Sequence, residues 1–183
     1  MKKYELTAEF IEKWGKKLFR IKALISFGSV EAGELGGYIE KEDNLAHDGN
    51  AWVSGDARVS GNARVSGNAR VYGNARVSGD AEVSGDARVY GDAEVSGNAD
   101  YLLIGRIGSR FSFTTFFKNK DKGITVSCGC FLGTIAEFRA KVTDTHGNNK
   151  HAKIYNLAAD MAELQILGEE HFDKLNTNKS ESF

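Results

Sequence analysis

Nine six-residue units run without a gap from His47 to Asp100: HDGNAW, VSGDAR, VSGNAR, VSGNAR, VYGNAR, VSGDAE, VSGDAR, VYGDAE and VSGNAD. Valine returns at eight consecutive sixth positions, 53 through 95, and alanine at nine, 51 through 99. A fixed short period with Gly-Asn or Gly-Asp in each unit reads as a β-helix. A biased but disordered segment has no reason to keep that phase. Within one unit Ala57 and Val59 are two apart and share a strand face, while Arg58 and Ser60 take the other. Gly55-Asp56 supplies the turn, because both residues tolerate positive φ. One such strand buries nothing alone. Stacked coils do, with Val and Ala inside and Arg, Glu, Ser or Tyr outside.

Composition narrows the class. The chain has 183 residues, room for one or two small domains. Its net charge of -1 gives no global basic character, so nucleic acid is not an expected partner. No apolar run approaches the roughly 18 residues of a membrane span, so no membrane partner is expected. Met1-Lys2-Lys3-Tyr4-Glu5 leads into a charged stretch and not into a signal-peptide core. Cys128 and Cys130 are too few for a disulfide framework, which makes the cytoplasm the expected compartment. There is no proline, so the turns fall to the 21 glycines.

The pattern aliphatic-x-Gly-x-small-x resembles the left-handed parallel β-helix of hexapeptide-repeat proteins. That resemblance implies three hexapeptides per triangular coil of 18 residues, a left hand, and assembly as a homotrimer. The repeats 47–100 carry it strongly. A weaker first coil runs through Val30, Gly36-Gly37, Ile39 and Leu45. The whole chain also resembles hexapeptide proteins of bacterial genomes and prophages. In these a segment like GELGGYIEKEDNL precedes the repeats and one like IGSR…SCGCFLGT…EF follows. The expected fold is mainly β: a left-handed parallel β-helix of about three to four coils, an N-terminal cap and a small C-terminal α+β domain.

An 18-residue coil sorts the outward residues into columns. One face carries Arg58, Arg76 and Glu94; the next carries Arg64, Glu82 and Asp100; the third carries Trp52, Arg70 and Arg88 with Ser54, Tyr72 and Tyr90. Arg70 over Arg88 sets like charges about 5 Å apart. Trp, Tyr and Arg are residues enriched at interface hot spots. Trp52, Arg70, Tyr72, Arg88 and Tyr90 are therefore the expected oligomer interface.

The expected domains are 1–29 as cap, 30–100 as β-helix, 101–175 as α+β domain and 176–183 as disordered tail. In the cap, Thr7 predicts an N-capped helix over AEFIEKW closed by Gly15, followed by a strand from Phe19 to Ile25. Beyond the repeats, Tyr101–Ile104, FSFTTFF (111–117) and GITVSCGCF (123–131) read as three strands. Thr134 and Glu137 form a capping box that opens a helix with Ile135, Phe138 and Val142 on its apolar side, ended by Gly147. A last helix runs from Lys150 to Leu167, with Ile154, Leu157, Met161 and Leu164 at core spacing.

Residues 101–153 hold nine Lys/Arg against three Asp/Glu, a local +6. The loop Gly105-Arg106-Ile107-Gly108-Ser109-Arg110 can present backbone N–H groups and guanidinium donors to an anion. Phenylalanines and the hydroxyls of Ser112, Thr114 and Thr115 follow it. Arg106, Ser109, Arg110, Thr114 and Thr115 are the candidate site for an anionic, nucleotide-like ligand. The loop is neither a P-loop nor a dinucleotide fingerprint. Cys128-Gly129-Cys130 would set both sulfurs on one strand face as buried thiols; no metal site and no cofactor is expected. Hexapeptide acyltransferases, by resemblance, use a histidine base. Here only His47 lies in the coils, at an inward valine position, and the repeats are too uniform to make room for substrate. A non-catalytic scaffold that binds a ligand, a sponge or counter-defence protein of phage type, is expected ahead of acyl transfer. A module that binds or inhibits a host protein is the third reading.

Overall fold

The structure is a computed structural model that describes residues 1–170, and the expected tail at 176–183 lies outside them. The chain forms two compact units, Met1–Asn98 and a second beginning at Ala99.

The first unit opens with a hairpin. Strands β1 (Tyr4–Lys13) and β2 (Lys16–Ala23) pair antiparallel around Trp14-Gly15, both at positive φ. The helix expected after Thr7 does not form. Ala, Glu and Lys favour helix by only tenths of a kcal/mol per residue. Against that, β1 gains a ladder from Tyr4↔Ala23 to Lys13↔Lys16, and its turn adopts the left-handed geometry that two-residue hairpins need. The strand expected from Phe19 to Ile25 is present but stops at Ala23. Strand β3 (Leu35–Ile39) then changes the mode of pairing. It lies antiparallel to β2 on one side and parallel to β5 (Arg58–Val59) on the other.

From there the solenoid climbs by eighteen residues per turn. Strand β4 (Trp52–Val53) pairs with β7 (Arg70–Val71) and β7 with β10 (Arg88–Val89). Strand β5 pairs with β8 (Arg76–Val77) and β8 with β11 (Glu94–Val95). Strand β6 (Arg64–Val65) pairs with β9 (Glu82–Val83). All are parallel and in register, so the columns expected from the period are those of the structure. About three turns are completed. Every alanine and valine of the rungs from Ala51 to Val95 is at most 1% exposed. The turn glycines from Gly55 to Gly91 have φ between +61° and +74°. At Gly79 a Cβ would also run into the Ser96 carbonyl of the coil above, so that corner needs glycine twice over. Asparagine amides tie neighbouring corners: Asn50 donates to Asn68 at 3.0 Å and Asn68 to Asp86 at 3.1 Å.

The cap closes on the first coil through Lys3 and Tyr4. The Tyr4 hydroxyl donates to the carbonyls of Glu42 and Leu45, both at 2.8 Å. Lys3, 1% exposed, donates from Nζ to the Ala51 carbonyl at 2.9 Å. Burial pulls its pKa from 10.5 down to about 8, against the opposing charge of Asp48.

The second unit is a four-stranded antiparallel sheet in sequence order, with two helices: β12 (Tyr101–Ile107), β13 (Ser112–Lys118), β14 (Ile124–Cys128), β15 (Phe131–Thr134), α1 (Ile135–His146) and α2 (Lys150–Leu167). Three strands were expected. The third is split by a tight turn at Gly129-Cys130, where Gly129 sits at φ +61°. The Thr134–Glu137 capping box and both helix spans are as the sequence predicts. The orientation of α2 is not. Its buried face is Ala152, Tyr155, Ala158, Ala159, Ala162, Glu163 and Ile166, whereas Leu157, Met161 and Leu164 are 66%, 55% and 45% exposed. Alanines let the helix axis come close to its neighbours, which include Phe116, Val126 and Phe138; leucine and methionine on that face would hold it off. Arg139 of α1 then reaches α2, donating from Nη2 to Asp160 at 2.7 Å and to the buried Glu163 at 2.6 Å.

Candidate functional site

In the second unit two chain reversals and two helices converge on one cleft of about 200 Å³. The β12–β13 turn begins at Gly108, φ +72°, whose α-carbon lies against the Tyr155 phenol; any side chain there would collide with it. That contact sets Ser109 and Arg110 at the rim. The β14–β15 turn supplies Cys128, Gly129, Cys130 and Phe131, the last turns of α1 supply Lys141, Thr145 and His146, and α2 supplies Tyr155. The His146 imidazole stacks on Tyr155 with centroids 5.7 Å apart and planes at 27°. Phe138 meets the same ring edge-on at 5.7 Å. The Tyr155 hydroxyl is held above its usual pKa by burial first and by the adjoining Cys128 thiol second, while Arg110 pulls the other way.

The sequence-derived ligand residues separate here. Ser109 and Arg110 line the cleft. Arg106 does not: β12 continues through Ile107, so Arg106 is an exposed strand residue and the expected loop shrinks to Gly108–Phe111. Thr114 and Thr115 are 0% and 2% exposed. Thr114 donates to Cys128 Sγ at 3.2 Å behind the cleft, because strand alternation and the neighbouring strands bury both hydroxyls. The cysteines also move. Cys128 ends a strand and Cys130 sits exposed in a turn, so they do not share a strand face; both are free thiols. Lys141, His146 and Tyr155 are the cleft residues missing from the sequence reading. They come from helix positions whose meeting with Arg110 depends on the sheet register, and spacing does not announce that. Among the described residues no group of three or more His, Cys, Asp or Glu gathers as a metal site.

The third solenoid face carries a second depression. Tyr72 and Tyr90 stack with centroids 4.5 Å apart and planes at 9°, as the columns require. Arg70 and Arg88 lie in register on β7 and β10. Trp52 occupies the same column but is not on the surface with them. It is 2% exposed, because Phe27 and Tyr4 pack edge-on against it at 5.4 and 6.4 Å. As an interface anchor Trp52 is therefore withdrawn, covered by the cap. Ser29, Trp52, Ser54, Arg70, Tyr72 and Arg88 line a cleft of about 490 Å³.

His47, the only histidine in the coils, stacks on Tyr4 at 4.4 Å and accepts from the Lys3 backbone N–H on Nδ1 at 3.2 Å. It serves the cap.

A parallel solenoid with eighteen-residue turns and repeated Gly-Asx corners defines a β-solenoid repeat protein. Residues 57–72 and 69–85 match a protein family described as the YdcK beta solenoid repeat, and the solenoid of this chain is similar to it over those residues. No curated protein matches the chain. No described helix is long and apolar enough to cross a membrane.

Proposed function

We propose that the chain is a non-catalytic scaffold. Its solenoid assembles as a cytoplasmic homotrimer of the hexapeptide type, and its second unit binds an anionic, nucleotide-like ligand in the Arg110 cleft. The carrying observation is the convergence of two cations, Arg110 and Lys141, with the aromatic residues Tyr155, His146 and Phe131 in the lining of one cavity. Guanidinium takes phosphate bidentately, and aromatic rings take a flat base. At about 200 Å³ the cavity is smaller than the roughly 300–1,000 Å³ of sites for drug-sized ligands, which suits one base or one sugar phosphate rather than a whole dinucleotide. The rest of a larger ligand lies outside it.

The resemblance of the whole chain to prophage proteins gives this reading a biological form: a sponge that sequesters a nucleotide signal without turning it over. Acyl transfer is disfavoured by the engagement of His47, the one histidine of the coils, with Tyr4 and with the Lys3 backbone N–H, which occupies its Nδ1. Calorimetry with cyclic dinucleotides and ADP-ribose derivatives tests the proposal. Binding is expected with at least one, weakened about tenfold or more by Arg110→Ala. Absence of heat with every anionic nucleotide would sink it. The trimer has its own test: Tyr72→Ser with Tyr90→Ser should lower the sedimentation coefficient, and an unchanged profile removes that face from the assembly.

A further inference from the structure

We infer that Cys128 and Cys130 form a thiol–disulfide exchange site that takes small anionic disulfides. The pair lies in the wall of the Arg110 cleft but needs no nucleotide, so it stands or falls apart from the ligand proposed above.

Spacing alone would put both cysteines on one strand as packing residues. The structure does otherwise. Cys128 pairs with Phe131 across the β14–β15 reversal, so Gly129 and Cys130 are the two corner residues of a hairpin. Gly129, at φ +61°, fits the first corner of such a turn. In a tight turn, α-carbons two residues apart come closer than the roughly 6.6 Å of an extended strand, within the about 4.4–6.8 Å that a disulfide spans. The glycine between them has no side chain to stand in the way. Both thiols are free, Cys130 is exposed, Cys128 is half-buried, and both residues line the same cleft. A cysteine kept for packing is buried as a small hydrophobe. A redox-active one is accessible and sits beside a second that resolves it.

The two sulfurs differ in what holds them. The Thr114 hydroxyl, 0% exposed, donates to Cys128 Sγ at 3.2 Å, and the Tyr155 hydroxyl adjoins the same thiol. Cys128 is thus fixed from behind while Cys130 stands at the surface, which makes Cys130 the attacking thiol and Cys128 the resolving one. Arg110 reaches the turn: its Nη1 lies 3.8 Å from where a Gly129 Cβ would be. Lys141 is in the same lining, and no described residue of that lining carries a carboxylate. The approach is therefore positive and draws in a disulfide with more carboxylates than ammonium groups, as glutathione disulfide has.

The exchange balances without a further reagent. The Cys130 thiolate attacks one sulfur of glutathione disulfide. A Cys130–glutathione bond forms, the reagent's S–S bond breaks, and one glutathione leaves as a thiolate that takes up the proton Cys130 gave to solvent. The Cys128 sulfur then attacks Cys130, closes the Cys128–Cys130 bond and expels the second glutathione, which takes up the Cys128 proton. Two protein thiols are oxidised and one glutathione disulfide is reduced to two thiols.

The fully reduced chain, incubated with glutathione disulfide, quenched with acid and weighed intact, tests this. The native protein should lose two hydrogens and release two glutathiones per chain. Cys128→Ser should stop at one bound glutathione. Cys130→Ser should react about tenfold more slowly or not at all, because its remaining thiol is half-buried. Glutathione disulfide should outpace the uncharged hydroxyethyl disulfide, and Arg110→Gln should narrow that preference severalfold. Native protein that keeps both thiols, or that carries glutathione on each without an internal bridge, overturns the inference. So does a Cys130→Ser protein that reacts as fast as the native one, and an uncharged disulfide that reacts as fast as glutathione disulfide overturns the anionic specificity.

Discussion

The ammonium of Lys3 is buried against the carbonyl of Ala51 and sits 4.8 Å from the centroid of Phe27. A repeat of strands ends in unpaired carbonyls, and Lys3 is one of the groups that meets them. The cost is a charge taken out of water, which is why its folded pKa of about 8 lies below the 10.5 of an unfolded lysine. The sign of the pH dependence follows. Between these values the unfolded chain holds a proton that the folded chain has released, so stability rises with pH across that window. The contribution is complete above 10.5 and is lost as the pH falls through 8. Tyr4, pushed up chiefly by its own burial, acts the other way, since a raised tyrosine loses stability as pH climbs. Comparison with Lys3→Met cancels that shared contribution. The melting temperature of the native protein relative to Lys3→Met should climb from pH 8 toward pH 10.5 and stay level below pH 8; a level difference across the whole range refutes the burial argument. None of this was legible in MKKYE read as a sequence, because the partners of Lys3 are 45 to 48 residues away. Trp52 escaped for the same reason. Its column position was readable, but the rings of Tyr4 and Phe27 that cover it belong to the cap.

Helix α2 shows how an element can be right in span and wrong in orientation. Its bounds follow from the Asn149 cap and Gly168, both local signals. Its buried face does not. Leu157, Met161 and Leu164 carry the stronger periodic signal, yet the alanine side packs inward. The close approach that Ala158, Ala159 and Ala162 permit, together with the Arg139 clamp on Asp160 and Glu163, outweighs the gain from burying the larger chains. Two substitutions separate the alternatives by chemical denaturation. Met161→Lys should change stability by within about 0.5 kcal/mol, as at an exposed site. Ala159→Leu should cost about 1–3 kcal/mol by overpacking a position that is 0% exposed. The reverse order would restore the periodic stripe to the core. Strand β1 is the same lesson in another form: a helix-favouring decapeptide becomes a strand because β2 pairs with it, and that pairing is invisible to local propensity.

At the scale of the molecule, legibility tracks repetition. Each solenoid rung repeats the same inward Ala and Val, so the period alone supplies fold, register and columns. The clefts arise from contacts made once, between Gly108 and Tyr155 or between Trp52 and Phe27, and a single sequence holds no second copy from which to read them. The same division provides a measurement. Among the described residues both α-helices lie in the second unit, while Trp14 and Trp52 lie in the first. Ellipticity at 222 nm therefore reports mainly on one unit and tryptophan emission on the other. A ligand at 100 times its dissociation constant stabilises what it binds by about 2.7 kcal/mol, on the order of 10 °C for a domain of this size. A nucleotide held by Arg110 should raise the 222 nm midpoint and leave the tryptophan midpoint in place. A nucleotide that moves both midpoints equally, or whose shift survives Arg110→Ala, is not held in the Arg110 cleft, and the assignment of that ligand to the second unit fails.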